Sequence, residues 1–403
     1  MELLWIATKA PVPTIDGGRL VQLLTLQALS ELGVRVTLVA PWAPGSDAGE
    51  ILRALAPLCR AHLVESERGG GMRALYDLSS AGLPVAVARH RRESVRAEVA
   101  RRIAEQSFTA VHVEQAQALP QAAPAFAAGL RVVLRAQNVE SDLWRGNAGL
   151  HPVRRLVAAL EGARLMRWEG AAVRQASAVV ALSPLDAGRL EALSGGTGVR
   201  WVPPPFPARL PPAGEALAGR PPVVYLASSG WLPNQDAGDW LVREIWPRVR
   251  RRVPQAVLHL FTGAASRAGE GIVGHPPPAD SRSAFPSGAV VIVPLRVGSG
   301  IRMKILEAWA RGCPVVATPE AAAGLDVEND RHLLLARNGP EMAAAVARLH
   351  EEPGLRERLV AAGRELLERR HAPERVAREL VAVYSGGESS PRPPASTAAV
   401  DRL

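Results

Sequence analysis

The densest run of chemically capable residues lies between Val293 and Thr318. There Gly298-Ser299-Gly300 is followed by Arg302, Lys304, Glu307 and Arg311, then by Gly312 and a second apolar run. Two glycines let the backbone come close to a ligand, and a helix opening beside them turns free N–H groups outward, which suits a phosphate. With Ser299 as N-cap and Gly312 just past the end, the pattern predicts a helix over residues 300–311. Helical periodicity puts Ile301, Ile305 and Ala308 on a core-facing stripe and Gly300, Lys304, Glu307 and Arg311 on the adjacent face. A cation for a diphosphate and a carboxylate for ribose hydroxyls, one turn apart, make a nucleotide-diphosphate site. The same spacing also describes an ordinary surface Lys–Glu pair worth about a few tenths of a kcal/mol, and spacing alone leaves both readings open.

These residues need a scaffold, and the chain supplies one in duplicate. Its 403 residues exceed a usual single domain. Short apolar runs alternate with amphipathic stretches, as in parallel α/β sheets. Strands are expected at residues 3–8, 34–40, 110–113, 131–135 and 178–182, then again at 223–226, 256–261, 289–293, 314–317 and 332–335. Prolines crowd the interval between the two sets, from Pro203 to Pro222. The expected organisation is a first domain over residues 1–205, a proline-rich connection over 206–222 and a second domain over 223–372. A final helix over 373–384 and a disordered tail over 385–403, rich in Ser, Pro, Gly and Ala, complete it. Doubly wound domains of this kind bind ligands at the C-terminal ends of their strands, with a cleft between them.

Composition narrows the function. The formal charge is +9, yet Lys9 and Lys304 are the only lysines among 48 basic residues. Arginine elsewhere reads as coding bias and a solvated surface. No helix-turn-helix, finger or basic-aromatic stripe supports nucleic-acid binding. Cys59 and Cys313 are too few for a disulfide framework or a thiolate metal site. The acidic start at Glu2 and the short apolar run after it read as a first strand, not as a signal peptide, so a cytoplasmic setting is expected. No Asp-x-Asp, Walker loop, dinucleotide fingerprint or nucleophile elbow is present.

The run over residues 298–318 resembles glycosyltransferase family 4, and within it a bacterial subgroup reading G-S-G-x-R-x-K-x-L-E-A followed by G-x-P-V-V-x-T. The resemblance covers nearly the whole chain. It implies the GT-B fold, two Rossmann-like doubly wound domains facing a central cleft. It implies that Glu307 binds the donor ribose while Gly298, Ser299, Gly300, Arg302 and Lys304 serve the diphosphate and sugar. Many members carry two glutamates seven residues apart, and Ser299 stands at the first of those positions. The stretch from Gly230 to Ala237 is similar to the first loop of the donor domain, which brings in Asn234; Asn234 or Asp236 is equally a helix N-cap. Gly324-Leu325 matches the loop before the last donor-domain strand. In the first half, Lys9 to Arg19 resembles the glycine loop whose backbone, at Gly17 and Gly18, abuts donor and acceptor. Arg135 to Ser141 resembles a His-Asn-x-Glu-Ser segment, so Gln137, Asn138 and Glu140 fall at the sugar. Gln137 stands where relatives have histidine; it exchanges hydrogen bonds but does not titrate. His112-Val113-Glu114-Gln115 is a second candidate rim, and Pro203-Pro204-Pro205 replaces a common Pro-Asn-Gly turn.

The resemblance thus implies a retaining, metal-independent transferase with no cofactor beyond the nucleotide-sugar co-substrate and a saccharide, lipid-linked or small-molecule acceptor. Catalytic duties would fall to Gln137, Ser299, Arg302 and Lys304. The same fold can host a nucleotide-sugar epimerase or a catalytically reduced binding protein. Two arginine-rich stretches, residues 89–102 and 152–174, make peripheral contact with an anionic membrane a further expectation.

Overall fold

The computed structural model describes residues 1–66, 82–145, 152–211, 215–228, 230–262, 269–276, 278 and 281–387. The expected tail therefore lies almost wholly outside the described residues. Within them the chain builds two all-parallel sheets. The first holds β1 (Glu2–Ala7), β2 (Arg35–Trp42), β3 (Arg60–Glu65), β4 (Ala110–Glu114), β5 (Val132–Ala136), β6 (Ala178–Ala181) and β7 (Arg200–Trp201), in the order β3-β2-β1-β4-β5-β6-β7. The second holds β8 (Pro222–Leu226), β9 (Val257–Phe261), β10 (Ile272–His275), β11 (Val290–Val293), β12 (Val315–Ala317) and β13 (Leu334–Leu335), in the order β10-β9-β8-β11-β12-β13. Each order reverses once, between β1 and β4 and between β8 and β11, and a crevice opens beyond the strand ends at such a reversal.

Three strands escape a reading by apolar runs: β3, β7 and β10. All three lie at sheet edges, where one side meets solvent and the residues are only partly buried. The inner strands are buried throughout, as β4, β5 and β11 show, which is why they read as continuous apolar runs.

The helices that position the site are α1 (Gly17–Glu31), α2 (Glu93–Glu105), α3 (Glu140–Arg145), α4 (Pro152–Gln175), α5 (Pro184–Ser194), α6 (Leu232–Trp240), α7 (Met303–Arg311), α8 (Leu355–Leu366) and α9 (Pro373–Tyr384). The last of these belongs by packing to the first sheet. Val376, Leu380, Val383 and Tyr384 are buried in one cluster with Leu3, Trp5, Leu26 and Leu29. The chain therefore crosses between the domains twice, and the crossings are bonded together. Phe206 N donates to His371 O at 2.7 Å, and His371 Nδ1 lies 2.8 Å from Pro204 O.

The proline-rich connection is no free spacer. Phe206 is buried in the second core, Leu210 N donates to Ala310 O at 3.0 Å, and Arg311 Nη1 donates to Pro211 O at 2.7 Å. Among the described residues no helix is long and apolar enough to cross a membrane.

Helix α7, which carries the candidate cations, is fixed from behind by α8. Trp309 is fully buried, and a Cβ at Gly363 would fall 2.5 Å from its Cγ. Gly→Ala inside a helix ordinarily gains about 1 kcal/mol, but an overpacked core loses about 1–3 kcal/mol. G363A should therefore destabilise the protein by about 1–2 kcal/mol in urea unfolding; a stabilised variant would mean that the helix–helix contact yields.

Candidate functional site

The first-domain wall of the crevice is built from the loops after β1, β4 and β5. Asp16 caps α1, its carboxylate accepting from Arg19 N at 2.9 Å, and both its oxygens accept from Lys9 Nζ at 2.8 Å. Burial raises the Asp16 carboxyl, but Lys9 beside it prevails and holds it below the ordinary range. Lys9 is thus neutralised within its own loop. Arg19 braces the same loop through the carbonyls of Ala10 and Val12.

Behind that loop lies a buried polar network. Glu114 is fully buried between Arg135, whose Nε is 3.0 Å from its Oε2, and His112 at 3.1 Å. Burial would raise the carboxyl, yet Arg135 and His112 bring it down to about 2. Burial pushes His112 down to about 4, so the ring is neutral and takes up a hydrogen bond with Tyr384 Oη of α9 at 2.8 Å. Trp5 stacks on His112 with centroids 3.7 Å apart. Gln137 joins the same network: Nε2 donates to Glu114 Oε1 at 2.8 Å and to Gly18 O at 3.2 Å, and Oε1 accepts from Gln115 at 2.9 Å. Gln115 in turn accepts from Thr8 Oγ1 at 2.7 Å. Gln137, expected as a catalytic group, pins the glycine loop to β4 and β5 in this structure. A Cβ at Gly18 would sit 2.6 Å from its Oε1, so only glycine permits this contact.

Glu140 opens α3. Its N–H and that of Ser141 donate to the Glu169 carboxylate at 2.6 and 3.1 Å. Burial pushes Glu169 up to about 7 and raises Glu140 as well, against the pull of Gln117.

The second-domain wall departs from expectation at its centre. Helix α7 begins at Met303, with Arg302 at the cap position and no side-chain cap; Gly312 does end it, at φ +84°. Ser299 is therefore no N-cap. Its hydroxyl is drawn away by partners in the other domain, so residues 300–302 remain a loop. Ile305 N donates to Arg302 O at 2.9 Å, and the N–H groups before it are the orphan donors that a helix start leaves.

Lys304 and Glu307 do not pair. Lys304 Nζ donates to Leu226 O, the end of β8, at 2.6 Å and lies over the Tyr225 ring. Glu307 is buried and accepts from Ser281 Oγ at 2.5 Å and Arg311 Nε at 2.9 Å; both bonds go to Oε1. Arg302 lies over the Trp231 ring, 5.3 Å from its centroid, and Nη2 donates to Gly300 O at 3.2 Å. Burial brings Arg302 down to about 10, and burial with Arg302 nearby brings Lys304 down to about 7. Among the described residues neither cation has a carboxylate in ion-pair contact, and no cluster of side chains suits a metal ion.

Asn234, the other expected cap, lies inside α6; its Nδ2 donates to Ser228 O at 3.0 Å, and Asp236 pairs with Arg296. Leu325 packs against the second core and donates its N–H to Ala322 O.

The two walls touch. Ser299 Oγ donates to Asp186 Oδ1 at 3.0 Å and accepts from Val139 N at 3.1 Å. The Asn138 amide faces Ser299 O at 3.1 Å and donates to it once its nitrogen is set on that side, the orientation that satisfies both ends of the amide. Cβ atoms placed on the glycines would collide across the gap: Gly300 with the Gln137 carbonyl at 2.6 Å and Gly324 with Ser183 at 2.9 Å. Gly17 rests on Met303, with Cγ 3.4 Å away. The structure thus brings Gly17, Gln137, Asn138, Ser299, Gly300 and Gly324 into contact across the two walls, sets Gly18 beside Gln137 and Gly298 beside Arg302 on their own sides, and leaves Glu307 a turn deeper along α7. Asp186 bears no mark of this contact in the sequence, where Ser183-Pro184-Leu185-Asp186 has the pattern of a helix start, which it also is: Asp186 N donates to Ser183 Oγ at 3.0 Å.

Comparison with known proteins agrees with this architecture. Residues 220–352 match the family model Glycosyl transferases group 1, so the second domain is glycosyltransferase-like. No curated protein sequence is similar to the chain at a significant level. Among solved structures it is similar to HepE from Anabaena in complex with UDP and glucose, at 14% identity and TM-score 0.66, with 96% of this chain and 100% of that one covered. Sucrose-phosphate synthase from Thermosynechococcus elongatus aligns at 15% identity and TM-score 0.69, covering 96% and 98%. A glycosyltransferase from Rickettsia africae aligns at 11% identity and TM-score 0.63, again covering 96% and 98%. The fold is GT-B.

Lys304 yields a test with two opposite signs. An unfolded lysine keeps its proton to about pH 10.4, whereas the folded one loses it near 7. Between those values the unfolded state binds more protons, so this group makes the free protein more stable as pH rises. A diphosphate needs the charged form, so its affinity should fall over the same range, and binding at pH 8 should take up about one proton. Calorimetry in two buffers of different ionisation enthalpy measures this. K304R should abolish the uptake and weaken binding, since a planar guanidinium does not replace a compact ammonium. Proton uptake unchanged in K304R would remove Lys304 from the site.

Proposed function

We propose that this chain transfers a sugar from a nucleotide-diphosphate donor to an acceptor hydroxyl, retaining the anomeric configuration and using no divalent ion. The observation that carries the reading is the pair Arg302 and Lys304. Both are partly buried cations at the start of α7 without a carboxylate in contact among the described residues, beside a glycine loop at the C-terminal end of β11. Asp186 is near Arg302 but makes no contact with it, and a buried cation without a contacting carboxylate is costly unless a ligand of opposite sign completes the site. The glycosyltransferase family match over this domain and the nucleotide seen in HepE support a nucleoside diphosphate as that ligand.

In this reading Arg302, Lys304 and the free N–H groups of α7 neutralise the leaving diphosphate, the role a metal plays elsewhere. Glu307, held by Ser281 and Arg311 through Oε1, has Oε2 for the ribose hydroxyls. The bond from the anomeric carbon to the phosphate oxygen breaks, the acceptor oxygen takes its place on the same face, and the departing phosphate accepts the acceptor's proton. Retention and the absence of metal rest on the motif resemblance. A panel of nucleoside diphosphates in a thermal-shift assay tests the donor site. E307A should weaken the best of them about tenfold, and donor turnover should persist in EDTA. Turnover lost on chelation and restored by manganese would overturn the metal-free reading.

The acceptor reading follows from one surface. On α4, Leu156, Val157 and Leu160 are 63%, 57% and 60% exposed, with Arg164 and Arg167 further along the helix. Of the other arginine-rich stretch, residues 89–102, the part within helix α2 is charge-balanced: Arg101 and Arg102 pair with Glu98 and Glu105, and Arg96 with Glu93. A lipid-linked acceptor met at an anionic membrane surface therefore rests on α4. Co-sedimentation should show binding to anionic but not neutral vesicles, weakened by salt and by L160E. Equal failure with both vesicles would leave a soluble saccharide as the acceptor.

A further inference from the structure

The contact between the two walls is made by Ser299 and Asp186. Ser299 Oγ uses both its donor and acceptor capacity on the opposite domain, toward Asp186 Oδ1 and Val139 N. Asp186 is buried and doubly held, with Oδ2 accepting from Ser183 Oγ at 2.7 Å and Oδ1 from Ser299. Ser183 is in turn the residue on which Gly324 rests, and Val139 follows the Gln137-Asn138 pair against which Gly300 packs. These contacts converge on two segments of the first domain, the one after β5 and the one that joins β6 to the start of α5.

We propose that Asp186 is a positioning residue for transfer: with Ser299 it forms the closing contact of the cleft, and so sets where the loop bearing Arg302 stands against Gln137 and Asn138. The transfer part of this inference rests on the nucleotide-sugar reading above; the closing contact itself does not. Three features require a directed contact here. The Ser299 hydroxyl is buried on both sides, and a buried hydroxyl facing no partner is unfavourable. Burial raises the Asp186 carboxyl above its ordinary range, and the Ser183 and Ser299 hydroxyls with the nearby Arg189 and Arg302 offset that only in part, so losing the Ser299 bond would leave the group still worse placed. The glycines at 300 and 324 make the approach possible without directing it, since a Cα hydrogen fits many registers. The hydrogen bonds select one.

Asp186 also lies within electrostatic reach of Arg302 without touching it. Its negative charge opposes that of a bound diphosphate, while its hydrogen bond favours closure. The two effects of removing it are therefore opposite in sign. D186A should bind a nucleoside diphosphate as tightly as wild type or more tightly, yet turn over donor and acceptor about tenfold more slowly, because the closed population falls by about a hydrogen bond's worth. S299A should show the same loss of turnover.

The readout independent of activity is hydrogen exchange. Among the described residues, Val139 N–H donates to Ser299 Oγ alone. In full-length protein, S299A and D186A should each raise exchange over residues 137–141 about tenfold while leaving α1 and β1 as in wild type. Wild-type exchange at residues 137–141 in both variants would overturn the contact. Turnover and diphosphate affinity falling together in D186A would overturn the positioning role and make Asp186 a merely structural residue. A wild-type protein that binds no nucleoside diphosphate would instead sink the nucleotide reading, and the exchange result would still decide the contact.

Discussion

A single carboxylate without access to water organises the first-domain wall. Glu114, at the end of β4, collects Arg135 from β5, His112 from its own strand and Gln137 from the loop that follows β5. Each partner carries the constraint outward. Arg135 Nη1 reaches Thr25 of α1 at 2.8 Å, His112 reaches Tyr384 of α9, and Gln137 reaches the carbonyl of Gly18. A buried ion pair of this kind adds little to stability in itself, because desolvation offsets attraction. Its consequence is positional: an unpaired member would be so costly that strand, loop and returning helix must keep their places together. The C-terminal helix thus contributes to the geometry of a loop more than two hundred residues earlier in the chain.

The second-domain wall follows a different rule. Its cations, Arg302 and Lys304, are held by an aromatic face, a carbonyl and a tyrosine ring, none of which removes their charge. Burial displaces both below their ordinary protonation ranges, and Arg302 adds to the displacement of Lys304. The contrast between the walls is informative. Where charge is compensated by contact inside the protein, the residues hold structure; where it is not, the proposed diphosphate supplies the partner. Lys9, Gln137 and Asn234 resemble site residues by position, but the first two have protein partners and the third ties down a loop. Arg302 and Lys304 keep their capacity.

The glycines gain a second meaning from the same geometry. Gly300 has φ +77° and Gly324 φ +89°, so each adopts a backbone that side chains disfavour. Each also meets the opposite domain at a distance no Cβ would allow. Close approach to phosphate and close approach to the partner domain make the same demand on the chain. A glycine-rich loop at such a cleft therefore does not say which of the two it serves.

Much of this was legible in one dimension. Buried parallel strands print as apolar runs, so two doubly wound domains and their order could be read directly, apart from the half-exposed edges β3, β7 and β10. The loop and helix from Gly298 to Gly312 could be read too, because glycine, charge and helical period are local properties. What a side chain bonds to is not local. Ser299 has every mark of an N-cap, yet Asp186, more than a hundred residues earlier, and Val139 hold its hydroxyl, and α7 starts later in consequence. Lys304 and Glu307 share a helical face, yet one reaches β8 and the other Ser281. Spacing determines which groups are candidates, because it depends only on neighbours along the chain. Only the tertiary structure decides which are already satisfied, because a hydrogen bond or ion pair from a distant segment leaves no mark on local spacing.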